Sequence, residues 1–156
     1  MLRATLLFLV MALGVSAAVA QPVQPELRPI RPQTALEEAF IEAFRSPAAR
    51  PAFRQQFLES NVVLVTRTDA PDSEPRLTPV QGGQAAMIFT SSELLNRQLG
   101  PMAPRSSMTG RAALTRLRGQ QVAINFGYEP MLLLDAEGID GFLGIPATPE
   151  SAGPSQ

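Results

Sequence analysis

The chain has 156 residues with 13 basic side chains, all of them Arg, against 14 acidic ones, and it contains neither Cys nor His. Those absences exclude disulfides, thiol nucleophiles, thiolate or imidazole zinc sites, and any Ser–His–Asp or Cys–His mechanism. Carboxylate chemistry and oxygen-ligated calcium or magnesium stay open, and a net charge of −1 gives no general reason to expect nucleic acid or an anionic membrane as partner.

In chain order, Arg3 precedes an apolar run from Leu6 to Leu13, and Ala18-Val19-Ala20 closes it with a small-x-small pattern. This is the layout of a cleaved export signal over residues 1–20, predicting a mature N-terminus at Gln21 and a periplasmic or secreted location. Residues 21–33 carry Pro22, Pro25, Pro29 and Pro32, a spacing that favours an extended linker over packed structure.

Thr34 and Glu37 form a capping box opening a helix whose apolar stripe is Leu36, Ala39, Phe40, Ala43 and Phe44, with Glu37, Glu38 and Glu42 expected outside it in solvent. Ser46-Pro47 starts a second helical stretch through Phe53, Phe57 and Leu58, which Pro51 breaks or restarts. Val62 to Val65 is β-branched enough for a central strand. The polar segment 68–76 carries Asp69, Asp72 and Glu74 but lacks the glycine and terminal Glu of a calcium loop, so an exposed connection is expected and no metal. Leu77–Val80 and Ala85–Phe89 read as strands around a Gly-Gly turn. Thr90 with Glu93 reads as another capping box, for a helix that Gly100 stops. Residues 101–106 read as a loop or edge strand.

The densest stretch is Ser107 to Gly141. Thr109 is placed to cap a short helix, Gly110 to Arg118, whose buried stripe would be Gly110, Ala113, Leu114 and Leu117. Gly119 ends it. Val122, Ile124 and Phe126 alternate with Ala123 and Asn125 as a half-buried strand, and Gly127-Tyr128-Glu129-Pro130 turns the chain. Met131 to Leu134 is apolar throughout, as expected of a strand covered on both faces. Residues 144–156, rich in Pro, Ser, Gly and Ala, read as a disordered tail. The mixture of hairpin-like and crossover connections predicts a single α+β domain over 34–143, with a mixed four- to five-stranded sheet flanked by helices.

Met108-Thr109-Gly110, the helix and glycine after it, the Asn-containing strand, the Glu-Pro turn and the run Leu132 to Asp135 together resemble the N-terminal domain of the SseB family, the enhanced serine sensitivity proteins. Ile88 to Leu94 resembles the family's strand-to-helix junction. The likeness runs from about Leu36 to Leu143, and it implies a fold more firmly than a chemistry, since the family name records a phenotype. Two departures accompany it: an export signal, and no room for the second domain of longer members.

The candidate binding residues are Thr109, Arg111, Asn125, Tyr128 and Glu129, which would converge if the helix lay over the hairpin. They read either as a small recognition site for a peptide or solute, or as a cap, a backbone-satisfying amide, a half-core tyrosine and solvated charges. The first functional expectation is an exported non-catalytic module binding a protein or peptide partner of the cell envelope, with no cofactor, no nucleic acid and no membrane after signal cleavage. The alternative is a carboxylate-dependent enzyme using Glu129 and Asp135.

Overall fold

The computed structural model describes residues 26–146. The expected export signal, the predicted mature N-terminus and most of the tail lie outside the described residues. In chain order the elements are β1 (Arg28–Pro29), α1 (Ala35–Arg45), a single 3-10 turn (Pro47–Ala49), α2 (Arg50–Glu59), β2 (Asn61–Val65), β3 (Leu77–Val80) and β4 (Gly83–Phe89). There follow α3 (Ser92–Leu99), β5 (Arg105–Thr109), α4 (Gly110–Arg116), β6 (Gln121–Ile124), β7 (Tyr128–Glu129), β8 (Leu132–Leu134) and α5 (Ala136–Leu143).

The fold is α+β, as expected, and its main sheet is mixed. It has six strands: β5-β2-β4-β6-β8 in spatial order, with β3 also paired to β4. The sixth strand arises because β2 and β3 share one side of β4. Val63 faces Phe89 and Leu64 faces Ile88, whereas Leu77 faces Ala86, so β3 resumes the register of β2 eleven residues late. That is the length of segment 66–76, which leaves the sheet between them and returns. The Arg76 amide donates to the Val65 carbonyl at 3.0 Å, and a bridge between Thr66 and Pro75 closes the base of the protrusion.

β4 and β6 are parallel, and β5 runs the same way, because β2 is antiparallel to both β4 and β5. The chain therefore makes two crossovers in opposite directions across the sheet, β4–α3–β5 and β5–α4–β6. The right-handed rule for such crossovers puts α3 and α4 on opposite faces. Burial agrees, for Val62 to Val65 and Ala85 to Phe89 are all buried although successive side chains point to alternate faces.

Local chemistry explains where the elements begin. The Thr34 hydroxyl accepts from the Glu37 amide at 3.2 Å, and the Glu37 carboxylate accepts from the Gln33 amide at 2.7 Å. Glu37 is consequently buried rather than solvated as expected, while Glu38 and Glu42 are exposed. Phe44, assigned to the apolar stripe, is 44% exposed. The cap of α3 is Ser91, not Thr90, because the Thr90 hydroxyl is engaged elsewhere. The stripe Gly110, Ala113, Leu114, Leu117 is buried as expected. A Cβ on Gly110 would overlap the Phe57 carbonyl oxygen and sit 2.8 Å from its carbonyl carbon, so only glycine lets α4 approach α2 this closely.

Four further expectations are corrected. Asn125 is not part of a strand: its φ of 58° ends β6, a left-handed conformation that Asn tolerates better than most residues. β8 is the outermost strand, so Leu133 is 37% exposed instead of covered. The segment read as a linker is held at its end, where Arg28 and Pro29 pair in parallel with Tyr128 and Glu129 and Ile30 is buried. Likewise Ile145, read as tail, closes α5 by donating to the Asp140 carbonyl at 2.9 Å.

Candidate functional site

The five polar candidates do not form one site. Asn125 is fully buried, and its Oδ1 accepts from both the amide (3.0 Å) and the hydroxyl (3.1 Å) of Thr90, tying the end of β6 to the start of α3. These two donors fix the amide's orientation and leave Nδ2 without a hydrogen-bond partner. Tyr128 donates its hydroxyl to the Leu94 carbonyl at 2.8 Å and packs edge-on against Phe89. Asn125 and Tyr128 are thus brought together around the start of α3, inside the protein.

Thr109 and Arg111 lie elsewhere. Thr109 caps α4, accepting from the Ala112 amide at 3.2 Å, and belongs to β5 at the opposite edge of the sheet. Three strand spacings, about 14 Å, separate β5 from β6. Arg111 is exposed beside Arg54, Gln55 and Glu59. Glu129 is exposed next to Arg45 and Pro130. Asp135, the other carboxylate of the enzymatic alternative, caps α5 by accepting from the Gly138 amide at 2.7 Å.

A different surface has the shape of a binding site. Phe40, Phe44, Phe53, Phe57 and Phe142 form a chain of edge-on and tilted contacts with ring centroids 5.1 to 6.1 Å apart. Phe40 and Phe57 are buried, and Phe44 brings the cluster to solvent. Between Phe44, Phe53, Phe142, Ala43, Leu132 and Arg50 runs a groove of about 320 Å³. It is framed by α1, α2, β8 and α5, which are remote in sequence. Arg50 is held at its wall by a bond from Nε to the Ala43 carbonyl at 3.2 Å. A larger depression of about 560 Å³ along α1 is shallower and includes Glu38, Glu42 and Arg45, so it offers less apolar surface to a ligand.

Across residues 36–140 the sequence matches the family model described as the SseB protein N-terminal domain. The chain belongs to this family. No curated protein and no solved structure matches it. The match contains α1 to β8 and the first part of α5, so the SseB domain here includes the whole main sheet and most of the groove's walls.

Electrostatics separate structural from available groups in this SseB domain. Burial pushes the Tyr128 hydroxyl above its usual pKa, against the opposing pull of Arg28 and Arg97. Arg118 holds the Asp140 carboxyl below its usual range through a hydrogen bond of 2.7 Å, joining the turn after α4 to α5. Among the described residues no group of three or more acidic side chains could hold a metal ion, and no helix is long and apolar enough to cross a membrane. Sequence reasoning missed the groove because Phe44 was assigned to the apolar stripe of the first helix, Phe53 to the second helical stretch, and Phe142 was given no role. Phe40, Phe53 and Phe57 are buried and Phe44 alone of the helix rings is exposed, so no local pattern separated the groove from the core.

Proposed function

We propose that this SseB domain is an exported, non-catalytic module that binds a protein or peptide partner in the periplasm or outside the cell. The reading rests on one contrast. The polar side chains the sequence offers for chemistry are engaged in caps and internal ties or stand singly in solvent, whereas the apolar groove between α1, α2, β8 and α5 is lined by three phenylalanines with one cation at its wall. Concave, mostly apolar surfaces with few polar groups are what ligand sites use, and aromatic side chains, phenylalanine among them, are enriched at the cores of interfaces.

Export is supported by the apolar run and the Ala18-Val19-Ala20 pattern. Mass spectrometry of protein recovered from the cell envelope should give a chain beginning at Gln21, and an intact Met1 would refute that part. The binding reading is tested by exposing purified protein to a library of immobilised short peptides. Saturable binding lost in Phe44→Ser supports it. Substrate turnover by the purified protein that disappears in Glu129→Gln would overturn it in favour of the carboxylate enzyme.

A further inference from the structure

The groove is bounded on one side by Leu132, and Leu132 belongs to β8, the last strand of the sheet. β6 is the single strand paired with β8 among the described residues, so one edge of Leu132–Leu134 presents backbone donors and acceptors without a strand partner. Neither Lys, Pro nor a charged side chain within β8 blocks that edge. A strand added there would place the residue opposite Leu132 on the same face as Leu132, which is the groove face. Arg50 supplies the remaining polar feature. Its Nε is fixed on Ala43, its two terminal nitrogens have no partner among the described residues, and none of the six lining residues is acidic.

The geometry points to a specific ligand class: an extended peptide that adds a strand to β8, inserts a large apolar side chain between Phe44, Phe53 and Phe142, and sets a carboxylate against Arg50. This deepens the binding role proposed above and rests on it. Backbone pairing along the edge with side chains read at alternate positions is a recurrent way for sheets to take up peptides. A second copy of the chain fits less well, because a two-fold axis would bring an identical acid-free groove and a second Arg50 to the same place.

The experiment is calorimetric titration with short acetylated and amidated peptides alternating large apolar residues with Ser, one position being Glu. The Glu peptide should bind about tenfold tighter than its Gln counterpart, the size of one charge-assisted hydrogen bond, and Arg50→Gln should abolish that difference while leaving the melting temperature unchanged. Methylating alternate peptide amides should abolish binding on the register that needs them, leaving the protein untouched. 3-Phenylpropionate, which carries the ring and the carboxylate without a backbone, should bind at least tenfold more weakly than the peptide. Equal affinity for the Glu and Gln peptides, indifference to amide methylation, or 3-phenylpropionate binding as tightly as the peptide would each overturn the inference. Peptide binding unaffected by Phe44→Ser and Arg50→Gln would overturn it while leaving a binding module with its site elsewhere; binding of no peptide at all would overturn both.

Discussion

Asn125 shows how one side chain can hold two elements in place. Its left-handed backbone stops β6, and its Oδ1 takes both donors of Thr90 at the end of β4. Asn125→Ala removes these bonds, strains the backbone and strands a buried amide, so we expect a loss of about 2–3 kcal/mol in urea unfolding. A variant as stable as the parent would mean the tie is not formed in solution. Tyr128→Phe removes one hydroxyl bond and should cost about 1 kcal/mol. Because burial raises the folded Tyr128 pKa, its neutral form is favoured by folding: that contribution is complete below the unfolded value near 10 and disappears as pH rises through the folded value. Tyr128→Phe should therefore flatten the alkaline limb of a stability–pH curve. Asp140 has the opposite sign. Its lowered pKa gives a contribution present above the unfolded value and lost as pH falls through the folded one, so Asp140→Asn should flatten the acid limb slightly. Of these roles, the sequence made the caps of α1 and α4 readable, since Thr34 and Thr109 act on amides three residues away. The partners of Asn125 and Tyr128 lie 35 and 34 residues distant, and no local pattern carries that information.

At the scale of elements, periodicity located α1 to α4 but not α5, because a buried stripe on a helix leaves a mark every three to four residues and α5 has a single buried residue, Ile139. Gly110, Ala113, Leu114 and Leu117 are the case in point, and the contact of Gly110 with Phe57 gives it a direct test. Gly110→Ala should destabilise the domain by about 1–3 kcal/mol, as overpacking against backbone that cannot move does, while exposed Arg111→Leu should change stability by less than about 0.5 kcal/mol. Equal melting temperatures for the two would contradict the close approach of α4 to α2. Strands were harder to read. Continuous apolar runs look alike whether a strand is central, as β2 is, or outermost, as β8 is, because pairing partners are set by the whole topology. The most consequential element hidden from the sequence is the split strand β2/β3. Deleting residues 66–76 should let Val65 run directly into Leu77 with the register against β4 intact. The deletion protein should keep a cooperative unfolding transition, and a chain that no longer folds would show that the protrusion supports the sheet.

For the molecule as a whole, the two opposed crossovers bury both faces of the central strands and leave the functional possibilities at the margins. The expected convergence of Thr109, Arg111, Asn125, Tyr128 and Glu129 fails for a topological reason: β5 and β6 are linked through α4 but lie three strands apart. The groove arises from the same topology, since α1, α2, β8 and α5 meet there although the first and last are almost a hundred residues apart in the chain. Its existence depends on Phe142 folding back onto Phe53 and Phe57, a contact that only the assembled fold creates. The most direct test of the account is amide shift mapping of isotope-labelled protein as a binding peptide is added. Perturbations are expected at Phe44, Arg50, Phe53, Leu132 to Leu134 and Phe142 alone; shifts centred on Glu129 or Arg111 with the groove silent would refute peptide binding in the groove.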